Sequence, residues 1–538
     1  MSPPLFLGLD LSTQQLKAII IDEAENIVFE GSIHFDKDLP HHGTVNGAVP
    51  GPDEAEMTCP VAVWLESLDL LMERLKDADV DLGSIVAVSG AAQQHGSVYW
   101  NADALNHLSS LDPAEPLLHQ LTPALSLENA PIWQDSSTTA ECRALEEAVG
   151  GAQRLSDITG SRAYERFTAS QISKIYRKKT EVWADTRYVS LVSSFLASLF
   201  LGHIAPIEVS DASGMNLMSI KTCEWDDELL KVSGGEELKA KLDGQPVPGG
   251  TNLGKIGSWW VERFGFNKDC IVAPFTGDNP SSIVSLSSPG DAILSLGTST
   301  TFLVSIPPSS TLPKSTTTSH LLSHPTTPGG FIAMLCYKNG SLTRENVRDR
   351  FASGDWDAFN RTLTSTPAGN NGYMGFYFPL REIIPDGVIG EHFFRDGEQI
   401  PEESFPAASH PRAVLESQLL SIRSRILSIL PPSSTHLRRC VVTGGSSANT
   451  TFLQVIANIL DLPVYVASTS GSATVGGALL GKFAWWRAKG NQGTFEDMRP
   501  EGAKTTNVAV PDPEEAKMYE GLVDVYRRCE DKISGSAN

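Results

Sequence analysis

The chain has no cysteine pair with the spacing C-x-x-C, and its seven cysteines, at 59, 142, 223, 270, 336, 440 and 529, are an odd and scattered set. That argues against a disulfide framework and against a cysteine-type structural zinc, and it suits a reducing compartment. No run of about 18 apolar residues occurs, so no membrane-spanning helix is expected. The opening MSPPLFLGLD lacks a basic segment followed by an apolar run, and the closing SGSAN is not a targeting signal. A cytoplasmic protein is the expectation. Basic residues are also short: 42 Lys and Arg stand against 64 Asp and Glu, for a net charge of −22 and a pI of about 5.0. Neither a nucleic-acid partner nor an anionic membrane surface fits that balance.

What is present is length and apolar content. The chain has 538 residues, 41% of them hydrophobic and 20% charged. That is enough for more than one globular domain. Strand and helix signals alternate throughout, the pattern of an α/β protein. Residues 61–77 and 411–430 carry helical apolar spacing, and RYVSLVSSFLASLFLG, residues 187–202, reads as a further apolar helix. Residues 36–54 read as a Gly/Pro/His loop. Residues 307–330, rich in Ser, Thr and Pro, read as a mobile loop.

Two stretches share one design. FLGLDLSTQQLKAIIID, residues 6–22, and AILSLGTSTTFLVSI, residues 292–306, are each an apolar strand, a Ser/Thr turn near a glycine, and a second apolar strand. Each opens a half of the chain, a weak internal duplication with its boundary near 280–290. Gly, Ser, Thr and Asp are common turn residues, so either turn alone is an ordinary hairpin. Recurrence at matching places favours function: backbone N–H groups and hydroxyls at such tips cradle phosphate oxygens. Asp10 adds a carboxylate suited to Mg²⁺ beside the first tip.

LGLDLSTQQLKAIIID, SGAAQQHGSVYW, PIWQDSSTTAEC, SRAYERFTASQISKIY, SDASGMNLM, FTGDNP, LSLGTST, YKNGSLTRENVRD and VTGGSSAN resemble the FGGY carbohydrate kinases over nearly the whole chain. QQHGSVYW and SRAYERFT are most similar to the family's xylulose branch. The resemblance implies two actin-like, ribonuclease-H-like ATPase lobes with a substrate cleft between them. Residues 1–285 would be the sugar-binding lobe carrying the base, and residues 286–538 the nucleotide lobe. It implies phosphorylation of D-xylulose at the 5-hydroxyl by Mg·ATP, with monomer and homodimer both compatible. By resemblance Asp278, in the GDN turn, is the general base, and His95, Arg166, Asp278 and Asn279 contact the sugar. The nucleotide and its metal fall to Asp10, Thr13, Gln14, Lys17, Gly297, Thr298, Ser299, Trp356, Gly444, Gly445, Ser446 and Asn449. Asp211 is a rival carboxylate given a minor role, and Asp135 is expected to brace its loop. Where many bacterial members carry Lys, this chain has Gln171, with Lys174 further on.

GGALLGKF, residues 476–483, nearly fits the phosphate-loop pattern but ends in Phe instead of a hydroxyl residue. It reads as a helix packed through small residues. The rival readings are a kinase for another pentulose such as ribulose, a non-catalytic actin-like sugar sensor, and, more remotely, a chaperone-type ATPase.

Overall fold

Near-continuous apolar runs make the core of the first sheet, and only its edge strand alternates. In the computed structural model, which describes residues 3–430, 437–467 and 471–535, strands Leu5–Leu11, Gln15–Ile21 and Ile27–His34 form an antiparallel meander. Strand Ile85–Ala92 lies parallel to the first strand on its other side, with Gly8 opposite Ser89 and Asp10 opposite Ala91. Ile271–Val272 and Thr276–Gly277 then pair in parallel with Ile85–Ala92. Seven of the eight residues of Ile85–Ala92 are buried, so this central strand is apolar on both faces.

The second sheet repeats the scheme. Strands Asp291–Leu296 and Thr300–Ile306 form an antiparallel hairpin, and Arg439–Thr443 runs parallel to the first of them, with Leu294 opposite both Phe302 and Val442. Val464–Ala467 and Thr505–Ala509 extend the sheet. The duplicated hairpin of the sequence is thus a duplicated sheet motif: hairpin, then a parallel strand ending in a polar turn.

The chain divides into two compact units: Met1–Ser285 with Leu321–Phe331 and Gly471–Gly502, and Leu286–His320 with Ile332–Ser470 and Ala503–Asn538. The single cut expected at 285/286 therefore misses two excursions. The larger carries helix Ser472–Ala488, which packs on the first sheet. Its small residues explain why. A Cβ on Gly477 would lie 2.5 Å from Gly90 Cα, and one on Gly8 would lie 2.5 Å from Ala478 N. Only a glycine face lets helix and strand backbones approach so closely. The near-phosphate-loop GGALLGKF is this packing face.

Two local readings change. Tyr188–Leu191 is a strand paired with Ser97–Trp100, and the helix begins only at Val192. The β-branched and aromatic Tyr-Val-Ser-Leu segment finds a sheet partner, which overrides the apolar run. The segment expected to be a mobile loop contains the buried strand His320–Ser323. Within the first unit, Leu321 N donates to Gly160 O and Ser323 N to Ser213 Oγ. No helix among the described residues is long and apolar enough to cross a membrane.

Candidate active site

Three strand ends of the first unit converge on a group of carboxylates. Asp10 sits at the end of Leu5–Leu11, opposite Lys17. It is 5% exposed. Ser12 Oγ donates to its Oδ2 at 2.7 Å, while its buried Oδ1 has no hydrogen-bond partner among the described residues. Burial pushes its carboxyl up, against the Ser12 hydrogen bond and the Lys17 charge.

Asp278 opens helix Asp278–Leu286, directly after strand Thr276–Gly277. Its Oδ1 accepts from Asn279 N at 2.8 Å and from Asn279 Nδ2 at 3.1 Å. Nothing among the described residues hydrogen-bonds to its Oδ2, and the side chain is half-buried. Desolvation, then the charge of Asp10, push it up to about 7. A carboxylate with one oxygen anchored, the other available and a pKa near neutrality is suited to accepting a proton.

Asp211 differs in its partners. Ser193 Oγ donates to its Oδ2 at 2.5 Å and Gln94 Nε2 approaches its Oδ1 at 3.5 Å, so both oxygens are engaged. Burial pushes it up to about 6. It holds Gln94, whose Oε1 accepts from Asn279 Nδ2 at 3.1 Å. Gln94 thus links Asp211 to the residue beside Asp278. Gly277 makes room for it, since a Cβ there would lie 2.5 Å from Gln94 Cγ. Sequence reasoning missed Gln94; its only signal is its place beside His95 at the strand end.

His95 adopts a left-handed backbone, φ 73°, uncommon for a non-glycine residue. Its Nδ1 lies 2.9 Å from Gly214 O, and its ring stacks on Phe167 with centroids 4.4 Å apart. Burial, then the Arg166 charge, lower its pKa to about 3, so the ring is neutral. A carbonyl only accepts, so the proton is on Nδ1 and Nε2 offers a lone pair. Arg166 lies over the rings of Tyr164 and Phe167, at 4.7 and 5.4 Å.

Around these residues Asp135 braces its loop, as expected. Met57 N, Ser137 N, Ser137 Oγ and Gln171 Nε2 all donate to it. Lys174 pairs with Glu56, donates to Ser137 Oγ at 2.7 Å and lies 3.8 Å from Asp135. It is a buried structural cation, and Gln171 is tied to the same carboxylate. At the first hairpin tip, Thr13 Oγ1 accepts from Trp133 Nε1 at 2.8 Å and Gln14 is exposed.

In the second unit Gly297 begins the other hairpin tip, with Thr298 and Ser299 exposed. Gly340 N donates to Thr298 O and Ser341 N to Gly297 O, which fix the turn from behind. Gly444, at φ 87°, follows strand Arg439–Thr443; a Cβ there would lie 2.8 Å from the Leu296 backbone. Gly445 and Ser446 begin a 3₁₀ turn, and Asn449 caps helix Thr450–Leu460, accepting from Thr451 N and Phe452 N. Asn449→Ala is expected to destabilise the protein by about 1 kcal/mol in urea unfolding; unchanged stability would show that the cap contributes nothing. Trp356 packs edge-on against Phe359 and Phe452, with Arg348 over its face at 4.7 Å. The buried Arg344, which the sequence left unremarked, donates to Ser446 Oγ at 3.3 Å and to Gln418 Oε1 at 2.8 Å. It supports the Gly444–Ser446 turn.

Residues 123–285 match the family described as FGGY family of carbohydrate kinases, N-terminal domain, and residues 292–485 match its C-terminal domain. The xylulose kinase of Mus musculus is 42% identical over 537 residues, which cover 99% of this chain and 95% of that protein. Xylulose kinase 2 of Arabidopsis thaliana is 42% identical over 501 residues, covering 90% and 88%. The crystal structure of a ligand-bound xylulose kinase from Lactobacillus acidophilus gives a TM-score of 0.79 at 18% identity, covering 99% of each chain. That likeness speaks for the fold, an α/β pair of actin-like lobes.

Proposed function

The chain belongs to the FGGY family of carbohydrate kinases, and on that premise we propose that it transfers the terminal phosphoryl group of ATP to the 5-hydroxyl of D-xylulose. It phosphorylates xylulose at the expense of ATP. The position of transfer follows from the family resemblance, and the site geometry supports the residues proposed to perform it.

The observation that carries the reading is the free Oδ2 of Asp278 on a carboxyl poised near neutral pH. Asp278 takes the proton of the 5-hydroxyl. The sugar oxygen forms a bond to the terminal phosphorus, and the bond from that phosphorus to the bridging oxygen of ADP breaks. The proton stays on Asp278 until ADP and D-xylulose 5-phosphate leave, and then passes to water. Anchoring of Asp278 Oδ1 by Asn279, itself held by Gln94, keeps the base oriented. His95 Nε2 accepts from one sugar hydroxyl, and Arg166 and Asn279 donate to others. Thr13, Gln14, Lys17, Gly297, Thr298 and Ser299 would hold the phosphates, and Gly444, Gly445, Ser446, Asn449 and Trp356 the adenosine.

Mg²⁺ fits this donor set: the buried, unpartnered Asp10 Oδ1 is a hard anionic oxygen of the kind that cation takes, directly or through water. Bound there, it supplies neutralisation of phosphate charge. We place the protein in the cytoplasm, acting on small molecules.

Phosphorus and carbon NMR of the product tests the regiochemistry: coupling to C5 is expected, and coupling to C1 would overturn it. His95→Ala is expected to raise KM for D-xylulose by about tenfold or more with a smaller change in kcat, as for loss of a polar contact to substrate. The base must be anionic, so kcat/KM should fall about tenfold per pH unit below an apparent pKa near 7 and level off above it. A limb that breaks near 4 instead would assign the proton acceptor elsewhere.

A further inference from the structure

The Gly/Pro/His loop brings three metal-ligating atoms to one point in the first unit. The 3₁₀ turn Pro40–His42 faces helix Val61–Asp77, and the Nε2 atoms of His41 and His42 lie 2.8 and 2.6 Å from one oxygen, Glu66 Oε2. All three atoms are within 4.8 Å of one another, and the two rings sit 4.3 Å apart, tilted by 39°. His42 and Glu66 are partly buried, with side chains 13% and 29% exposed, while His41 at 57% leaves one side open to solvent. Partial burial would raise the Glu66 carboxyl, and the two histidine hydrogen bonds outweigh it, so it sits below the usual range and stays anionic.

The backbone holds this arrangement from both sides. Asp36 accepts from Thr44 Oγ1 at 2.7 Å, from Asn46 N at 2.6 Å and from Gly47 N at 3.1 Å. Phe35 N donates to Gln14 O at 3.0 Å, tying the loop to the first hairpin. Two imidazole nitrogens and one carboxylate oxygen are a donor set for Zn²⁺ and similar borderline cations; all-oxygen sets suit Mg²⁺ and thiolate sets suit softer ions.

We propose that His41, His42 and Glu66 bind a divalent transition-metal ion of the Zn²⁺ class, with solvent as the fourth ligand on the His41 side. Coordination uses the Nε2 lone pairs, with each ring proton carried on Nδ1. With bonds of about 2.0–2.1 Å, tetrahedral ligand atoms stand about 3.3 Å apart. The 2.8 and 2.6 Å nitrogen–oxygen spacings therefore need to widen by about 0.5 and 0.7 Å, through movement of the exposed His41 and of the partly exposed Glu66 side chain. The site shares no residue with Asp10 or with the phosphoryl-transfer residues.

The test is a titration of the full-length, tag-free protein, stripped with chelator, by Co²⁺ and then by competing Zn²⁺. One equivalent of Co²⁺ should give the visible absorption of a four-coordinate site, and Zn²⁺ should abolish it and raise the melting temperature. His41→Ala, His42→Ala and Glu66→Gln should each weaken binding by more than about tenfold, since even supporting groups around a metal cost about 10–100-fold when lost. His41 is exposed, so its substitution leaves the fold intact and keeps the test decisive. No visible band at one equivalent, or unchanged affinity in His41→Ala, would overturn the proposal and leave a hydrogen-bonded His–Glu–His cluster.

Discussion

Asp278→Asn is expected to lower kcat by about 10²–10⁴-fold while D-xylulose still binds with affinity within a few-fold of the unaltered protein. That corresponds to about 2.7–5.5 kcal/mol of barrier. The amide keeps the shape and can still meet Asn279, which now anchors Oδ1, but it cannot take up the hydroxyl proton. Asp211 offers no substitute, because both its oxygens are committed to Ser193 and Gln94. Steady-state turnover and calorimetric sugar binding separate the two effects. Near-normal turnover in the variant would remove Asp278 from the chemistry.

The second large effect is one of packing. In the interior of helix Ser472–Ala488 a Gly→Ala change ordinarily stabilises by about 1 kcal/mol. At Gly476 the sign should reverse. The added Cβ would lie 1.9 Å from Ser281 O and 2.5 Å from Ser281 Oγ, far inside contact distance and against backbone that cannot yield cheaply. A loss of about 3 kcal/mol or more is expected, at the upper end for overpacking. Ser281 lies on the helix that Asp278 opens, so kcat should fall as well. Gly481→Ala, on the same helix, is the control: its Cβ would meet nothing closer than 3.5 Å and should be neutral or stabilising. Thermal unfolding of the two variants side by side reads the contrast; equal stability would mean that the helix does not rest on this glycine face.

The sheet motifs were legible because they rest on local pattern. Two short apolar runs around a Gly/Ser/Thr turn specify a hairpin within twenty residues, and finding the pattern twice specified the repeat. The base was legible only through likeness: Gly-Asp-Asn-Pro by itself has the composition of any turn. What the sequence could not display were meetings between distant segments. Gln94 reaches Asp211 and Asn279 across separations of 117 and 185 residues, and no local signal marks that bridge. Lys174 has no role that its own segment assigns; the role is set by Glu56, Asp135 and Ser137, which only the fold brings beside it. Helix Ser472–Ala488 could be read as small-residue packing, but its partner strands, at Gly8 and Gly90, lie at the other end of the chain. The strand at Tyr188–Leu191 was hidden because a short apolar run fits strand and helix equally until a partner strand is known.

The central claim is sugar-dependent phosphoryl transfer, and it is tested most directly by ADP release from Mg·ATP with D-xylulose, D-ribulose, L-ribulose and glycerol in parallel, beside a blank without sugar. Strong turnover with D-xylulose, weak turnover with the others and little in the blank is the expected result. ATP bound but no sugar-dependent ADP release would contradict the account and leave an actin-like sensor in its place.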